Sequence, residues 1–196
     1  MSYAAYNRIR GFVVLMTGAL TILFNALLWT NVIPRTWEYP GYLILQSLFL
    51  FSLVSVLVHH IAHPGILLLA GFVLATLDLI FGFSFSYYAS FAFPILRDQF
   101  PDAVSAVLGG PVGSISMISM ALGIVGNILF YSGVLRSGIV PRWAPIVVII
   151  SQLLGLAMLP YNIPVILACV GLVGIGYSMM SQKTVQSLAL EPHPAT

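Results

Sequence analysis

Pro64–Tyr88 reads PGILLLAGFVLATLDLIFGFSFSYY, an apolar run of 25 residues with a single acid inside it. A bilayer takes about 20 residues of apolar helix to cross, and this run is long enough. It also holds Asp78, the only charged residue in the interior of any apolar run of the chain. A carboxylate at the centre of a spanning helix costs at least ~2.5 kcal/mol, so the side chain must face protein or water and not acyl chains. Gly71, Ala75, Asp78 and Gly82 fall at i, i+4, i+7 and i+11, one stripe of an α-helix. Small residues on a stripe let a neighbouring helix approach closely, which puts Asp78 on a packed face.

Composition carries the same reading to the whole chain. Of its 196 residues 60% are hydrophobic and 6% charged, with mean hydropathy +1.04. A soluble domain has roughly a quarter charged residues, and so few polar groups cannot cover so much apolar surface. The expected class is all-α, a polytopic membrane protein forming a single transmembrane domain. The net charge of +2 is too small to argue for nucleic acid and reads as loop charge that sets topology. The one cysteine, Cys169, excludes a disulfide or a thiolate metal cluster within one chain and reads as a small packing residue.

Outward from Pro64–Tyr88, apolar runs predict six spans, at about 11–30, 41–60, 65–88, 111–135, 144–159 and 165–181, followed by a polar tail at 182–196. Met1–Arg10 reads as a short polar start, NVIPRTWEYP as a loop with belt aromatics, and ASFAFPILRDQFPDAVSAVLGGP as a long loop with a short interfacial helix. The first run is too long for a signal-peptide core and lacks a small-x-small cleavage site before Pro34. With six spans both termini share a side. That side holds Arg8, Arg10, Arg136, Arg142 and Lys183, against Arg35 and Arg97 on the other, which places both termini in the cytoplasm.

An internal repeat is a further expectation. ILFNALLWTNVIPR (Ile22–Arg35) aligns without gaps on LFYSGVLRSGIVPR (Leu129–Arg142), and Gln46 and Gln152 follow at a similar offset. Three helices per half would make a 3+3 inverted repeat, a plan that puts binding sites near the midplane. The competing explanation is that Pro-Arg-Trp is simply a good helix start at a membrane surface.

Candidate chemistry gathers in the outer half of the bundle. By helical rise, Asp78, Asn25 and Gln46 lie there, Gln152 lies near mid-depth, and Arg35 and Arg97 lie in the outer loops. Together they suggest an outward-facing pocket in which Asp78 binds a cation or amine, or carries a proton, for a small, partly apolar solute or a lipid. The structural alternative is that Asp78 pairs with Gln46, Asn25 or Gln152 and ties helices together. A lipid enzyme with Asp78 as acid or base, and Arg97 or Arg35 on a headgroup, is another. A fourth is an accessory subunit or homodimer joined through Gly/Ser-rich helices, including Ala168, Gly171 and Gly174. No catalytic residue and no cofactor is assigned. His59 and His63 share a helix face as a metal pair would, but they lack further ligands, and histidines at a helix end also suit the dipole. Walker, diphosphate-binding, intramembrane-protease and haem patterns are missing from the sequence.

GNILFYSGVLRSGIVPRWAP, Gly126–Pro145, resembles a hairpin that recurs in a broad group of bacterial six-helix membrane proteins. The resemblance covers about a tenth of the chain. It implies a protein of the bacterial inner membrane and no particular activity. A fainter similarity is to the six-helix substrate-binding subunits of vitamin and metal uptake systems, which implies an outward pocket. The first helix lacks the small-x-x-x-small docking motif of those subunits.

Overall fold

A computed structural model describes residues 3–60, 65–100, 102, 106, 109–157 and 162–181. Every regular element among them is helical, as the composition requires. The helices are α1 (Tyr3–Trp29), α2 (Glu38–His59), α3 (Ile66–Tyr87), α4 (Phe93–Gln99), α5 (Pro111–Ser137), α6 (Trp143–Leu156) and α7 (Asn162–Ser181). A 3-10 turn, Arg35–Trp37, leads into α2, and a π-helical segment, Tyr88–Ala92, joins α3 to α4.

Two expectations need correction. The polar start is helical from Tyr3, so α1 absorbs most of it. The short helix expected after Tyr88 is present as Phe93–Gln99, but it runs on from α3 through the π turn and is not set within a loop, while most of 101–108 lies outside the described residues. Pro94 has no N–H to give to the preceding turn, and the π turn just before it inserts one residue where the proline ring would crowd that turn, so the helical backbone continues.

Among the described residues five helical stretches are long and apolar enough to cross a membrane: Ala5–Trp29, Arg35–His59, Ile66–Leu96, Val112–Ser137 and Ile163–Ser181. The fifth expected span is a shorter apolar helix of 14 residues, Trp143–Leu156, about 21 Å at the usual rise. Its expected continuation to 159 and the tail 182–196 fall outside the described residues.

The six longer helices form a ring in the order α1, α2, α3, α5, α6, α7 and back to α1. The α3–α5 and α1–α7 seams are the most extensive. Both are built on glycine, because a Cβ would meet backbone across the seam. Gly126 lies against Ala75 and Leu74, and Gly133 against Leu68. In the second seam Gly11 and Gly176 each abut the other's carbonyl. Bringing backbones this close replaces side-chain burial with dense backbone van der Waals contact, the interaction available to helices where lipid is as apolar as leucine. Phe130, Leu172, Ile175, Met179, Val14, Val56 and Val134 fill the core between the seams. Gly171 lies against Val148 and the Ala144 carbonyl, and Gly174 against the Trp143 ring, so these small residues of α7 are covered by α6 of the same chain. The α5 helix ends on Gly138, whose φ of 67° is the left-handed cap that glycine adopts at least cost.

Candidate functional site

The stripe on α3 does what its spacing implies. Gly71 and Ala75 are buried against α5, and Asp78 continues the same face. Ser119 of α5 donates from Oγ to Asp78 Oδ1 at 2.7 Å, and lies 3.4 Å from the Asp78 carbonyl. The other carboxyl oxygen, Oδ2, occupies the space where a side chain at Gly123 would begin. Ser119 and Gly123 sit one turn apart on α5, so the acid is received by a hydroxyl and a gap that were both placed by the spacing of that helix.

A second polar contact crosses α1 and α2. Asn25 is buried, donates from Nδ2 to the Thr21 carbonyl at 2.9 Å, and accepts the Tyr42 hydroxyl on Oδ1 at 2.8 Å. Deeper on the same seam Ser52 donates to Thr17 Oγ1 at 2.7 Å. Thr17 and Thr21 also return hydroxyl bonds to carbonyls four residues back, so their polar atoms are satisfied within apolar surroundings.

Gln46 lies between the two contacts in depth without bonding to either. It stands one turn after Tyr42 on α2, and its Nε2 is the atom nearest the open Cα face of Gly82, one turn after Asp78 on α3. Its Oε1 is buried with no hydrogen-bond partner. The Thr76 hydroxyl of α3 is in the same condition. An unsatisfied buried acceptor costs about 1–3 kcal/mol, so such an atom marks a place where a donor is expected to sit. Just beyond Gln46 on the α2–α3 seam lies an open recess lined by Leu43, Phe83, Ser84, Tyr87 and Tyr88. Asp78 is not among its lining residues.

Asn25, Gln46 and Asp78 therefore form one polar band across α1, α2, α3 and α5. The remaining expected residues do not join it. Gln152 donates to its neighbour Ser151 at 3.3 Å, on a helix that packs against α5 and α7. Arg35 is 69% exposed and pairs with Glu38 at 3.8 Å, a surface contact of about 0–1 kcal/mol. Arg97 lies on α4, and its side chain falls outside the described residues. Tyr42 and Ser119 were not among the sequence candidates. Tyr42 stands near the start of its helix, where tyrosine suits the headgroup region, and Ser119 is one of four serines from Ser114 to Ser132 with nothing in its spacing to single it out.

The histidines lie at the other end of α2. His59 and His60 contact edge to face at 5.4 Å, and His60 Nδ1 lies 2.7 Å from the Val56 carbonyl. Burial lowers the His60 pKa, and the bond to Val56 opposes the shift. His63 is outside the described residues, and among those described no three metal-ligating side chains converge.

Comparison of the chain with protein-family models, with curated proteins and with solved structures found no match.

Proposed function

We propose that the chain is a bacterial inner-membrane protein of six spans, termini in the cytoplasm, that binds or moves a small, partly apolar solute or lipid in the polar band around Asp78. The observation that carries this reading is Gln46 Oε1, a buried acceptor without a partner between an aromatic recess and the Asp78–Ser119 pair. A ligand entering through the recess would leave its apolar part on Tyr87, Tyr88 and Phe83 and give a donor to Gln46. Asp78, one turn deeper, offers the charge or proton site that a transported cation or amine needs.

The neighbour order of the helices agrees with a repeat. Exchanging α1 with α5, α2 with α6 and α3 with α7 carries the α3–α5 seam onto the α7–α1 seam, and these are the two most extensive in the ring. In this reading α6 is the short equivalent of α2, and residues after Leu156 complete its crossing.

A specific observation also favours a structural role: the carboxyl of Asp78 fills the gap at Gly123 and is bonded by Ser119, as a helix lock would be. Asp78→Asn separates the two, since an amide keeps the shape and the acceptor for Ser119 but loses the charge and the proton site. The ligand reading expects Asp78→Asn to unfold at the wild-type temperature yet lose the ligand that accompanies the wild-type chain from the membrane. The lock reading expects a changed melting temperature and no ligand to lose. Access is tested separately. Gln46→Cys in a Cys169→Ala background should react from outside with a membrane-impermeant maleimide, and failure to react in the folded protein would contradict the outward route.

A further inference from the structure

The opposite end of the bundle, where the chain begins, holds a second set of buried polar groups. Arg10 and His60 are 8% and 3% exposed. Thr17 bonds Ser52 and Asn25 bonds Tyr42, so α1 and α2 run antiparallel in register. Seven residues before Thr17 and seven after Ser52, Arg10 and His59 stand at one level, and His60, which caps α2, comes at the depth of the Asn7–Arg10 turn. The Tyr6 ring lies 3.6 Å from the Arg10 guanidinium carbon. That stacking covers the guanidinium face and leaves its in-plane N–H groups to an oxyanion. The described acids, Glu38, Asp78, Asp98 and Asp102, all lie deeper or at the far end.

At the same depth as this cation are two acceptors. His60 Nδ1 faces a carbonyl oxygen, which can only accept, so in the neutral ring Nδ1 carries the proton and Nε2 is the bare acceptor. Nε2 of His60 and Oδ1 of Asn7 are both buried with no hydrogen-bond partner. A guanidinium with no carboxylate near it among the described residues suits a phosphate, whereas two bare acceptors suit the N–H groups of a cation. Arg10 lies about 28 Å along the helix from Trp29, close to the ~30 Å thickness of a hydrocarbon core, which is the depth of the headgroups.

We propose that this end is a binding site for the zwitterionic headgroup of an aminophospholipid. The phosphodiester is held by Arg10, and the primary ammonium donates to His60 Nε2 and Asn7 Oδ1. The site is separate from the band around Asp78 and does not depend on its function.

The test uses the full chain, delipidated in mild detergent, with binding read by native mass spectrometry and by thermal shift. The lipids are phosphatidylethanolamine, phosphatidylcholine and phosphatidylglycerol with the same acyl chains. Phosphatidylethanolamine should bind at least tenfold more tightly than either of the others, because a quaternary ammonium has no N–H and glycerol has no cation. Arg10→Gln should weaken the ethanolamine and choline lipids alike. His60→Leu should instead bring their ratio close to one, and Asn7→Leu should do the same if His60→Leu fails to fold. Soluble phosphoethanolamine should displace the lipid where inorganic phosphate does not. Equal binding of the three lipids, an unchanged ratio in both acceptor variants, or equal displacement by inorganic phosphate would each overturn the proposal.

Discussion

The carboxyl group of Asp78 stands where a side chain on Gly123 would begin, so a residue that must avoid lipid and a residue without a side chain occupy one place between α3 and α5. The acid can be accommodated in an apolar seam because the facing helix leaves a gap and, one turn away, supplies the Ser119 hydroxyl. Neither feature would suffice alone, since an empty gap would leave the carboxyl unbonded and a hydroxyl without the gap would be out of reach.

Gly123→Ala should therefore expel the carboxyl or part the helices. Overpacking a tight interface costs about 1–3 kcal/mol, and the melting temperature in detergent should fall by several degrees. Gly155→Ala makes the control, since a Cβ at Gly155 meets nothing within 4 Å and the change there should be small.

The Ser119–Asp78 bond should show as coupling. Across Ser119→Ala, Asp78→Ala and the double variant, a thermal-unfolding cycle should give about 0.6–1.7 kcal/mol, the range of hydrogen bonds between membrane helices. Additive effects would mean the two groups do not bond.

Tyr42→Phe removes the donor to Asn25 Oδ1 while keeping the ring that packs edge-on against Phe24. The acceptor is left buried, so the loss should be about 1–3 kcal/mol. Adding Asn25→Leu to Tyr42→Phe should recover part of it, because removing both partners is cheaper than stranding one. Chemical denaturation of the three variants checks this order.

Much of the α3 face was legible in the sequence, because four small or acidic residues at helical spacing permit one packed stripe. The recipients of that stripe were not. Which of the many glycines and serines of α5 meets α3 depends on how the helices cross, and spacing within one helix does not encode the crossing. Tyr42 was hidden for a related reason, since an aromatic near a helix start satisfies the interface rule equally well whether its hydroxyl meets headgroups or Asn25. The short helix after Tyr88 was legible, but its continuity with α3 was not, because Pro94 reads as a breaker and a π turn before it lets the helical backbone run on. Arg10 was counted as loop charge, and only the seating of α1 against its neighbours reveals that it is buried while Arg8 is exposed.

Stability should also depend on pH through His60. Its folded pKa lies below the ordinary 6.5 because burial penalises the charged ring. Below pH 6.5 the unfolded chain therefore binds a proton that the folded one resists. The stabilisation is complete above that pH and declines as the pH falls through it toward the lowered folded value. Melting temperatures measured from pH 7.5 down to 5 should drop more steeply for the wild type than for His60→Leu. Parallel curves would show that His60 does not contribute.

The most direct measurement of the account is the mass of what accompanies the full chain from its native membrane, read by native mass spectrometry for the wild type, Asp78→Asn and Gln46→Leu. A small molecule retained by the wild type and lost from both folded variants is the predicted result. Retention by all three, or wild-type chains carrying nothing beyond bulk phospholipid, would contradict a ligand site around Asp78.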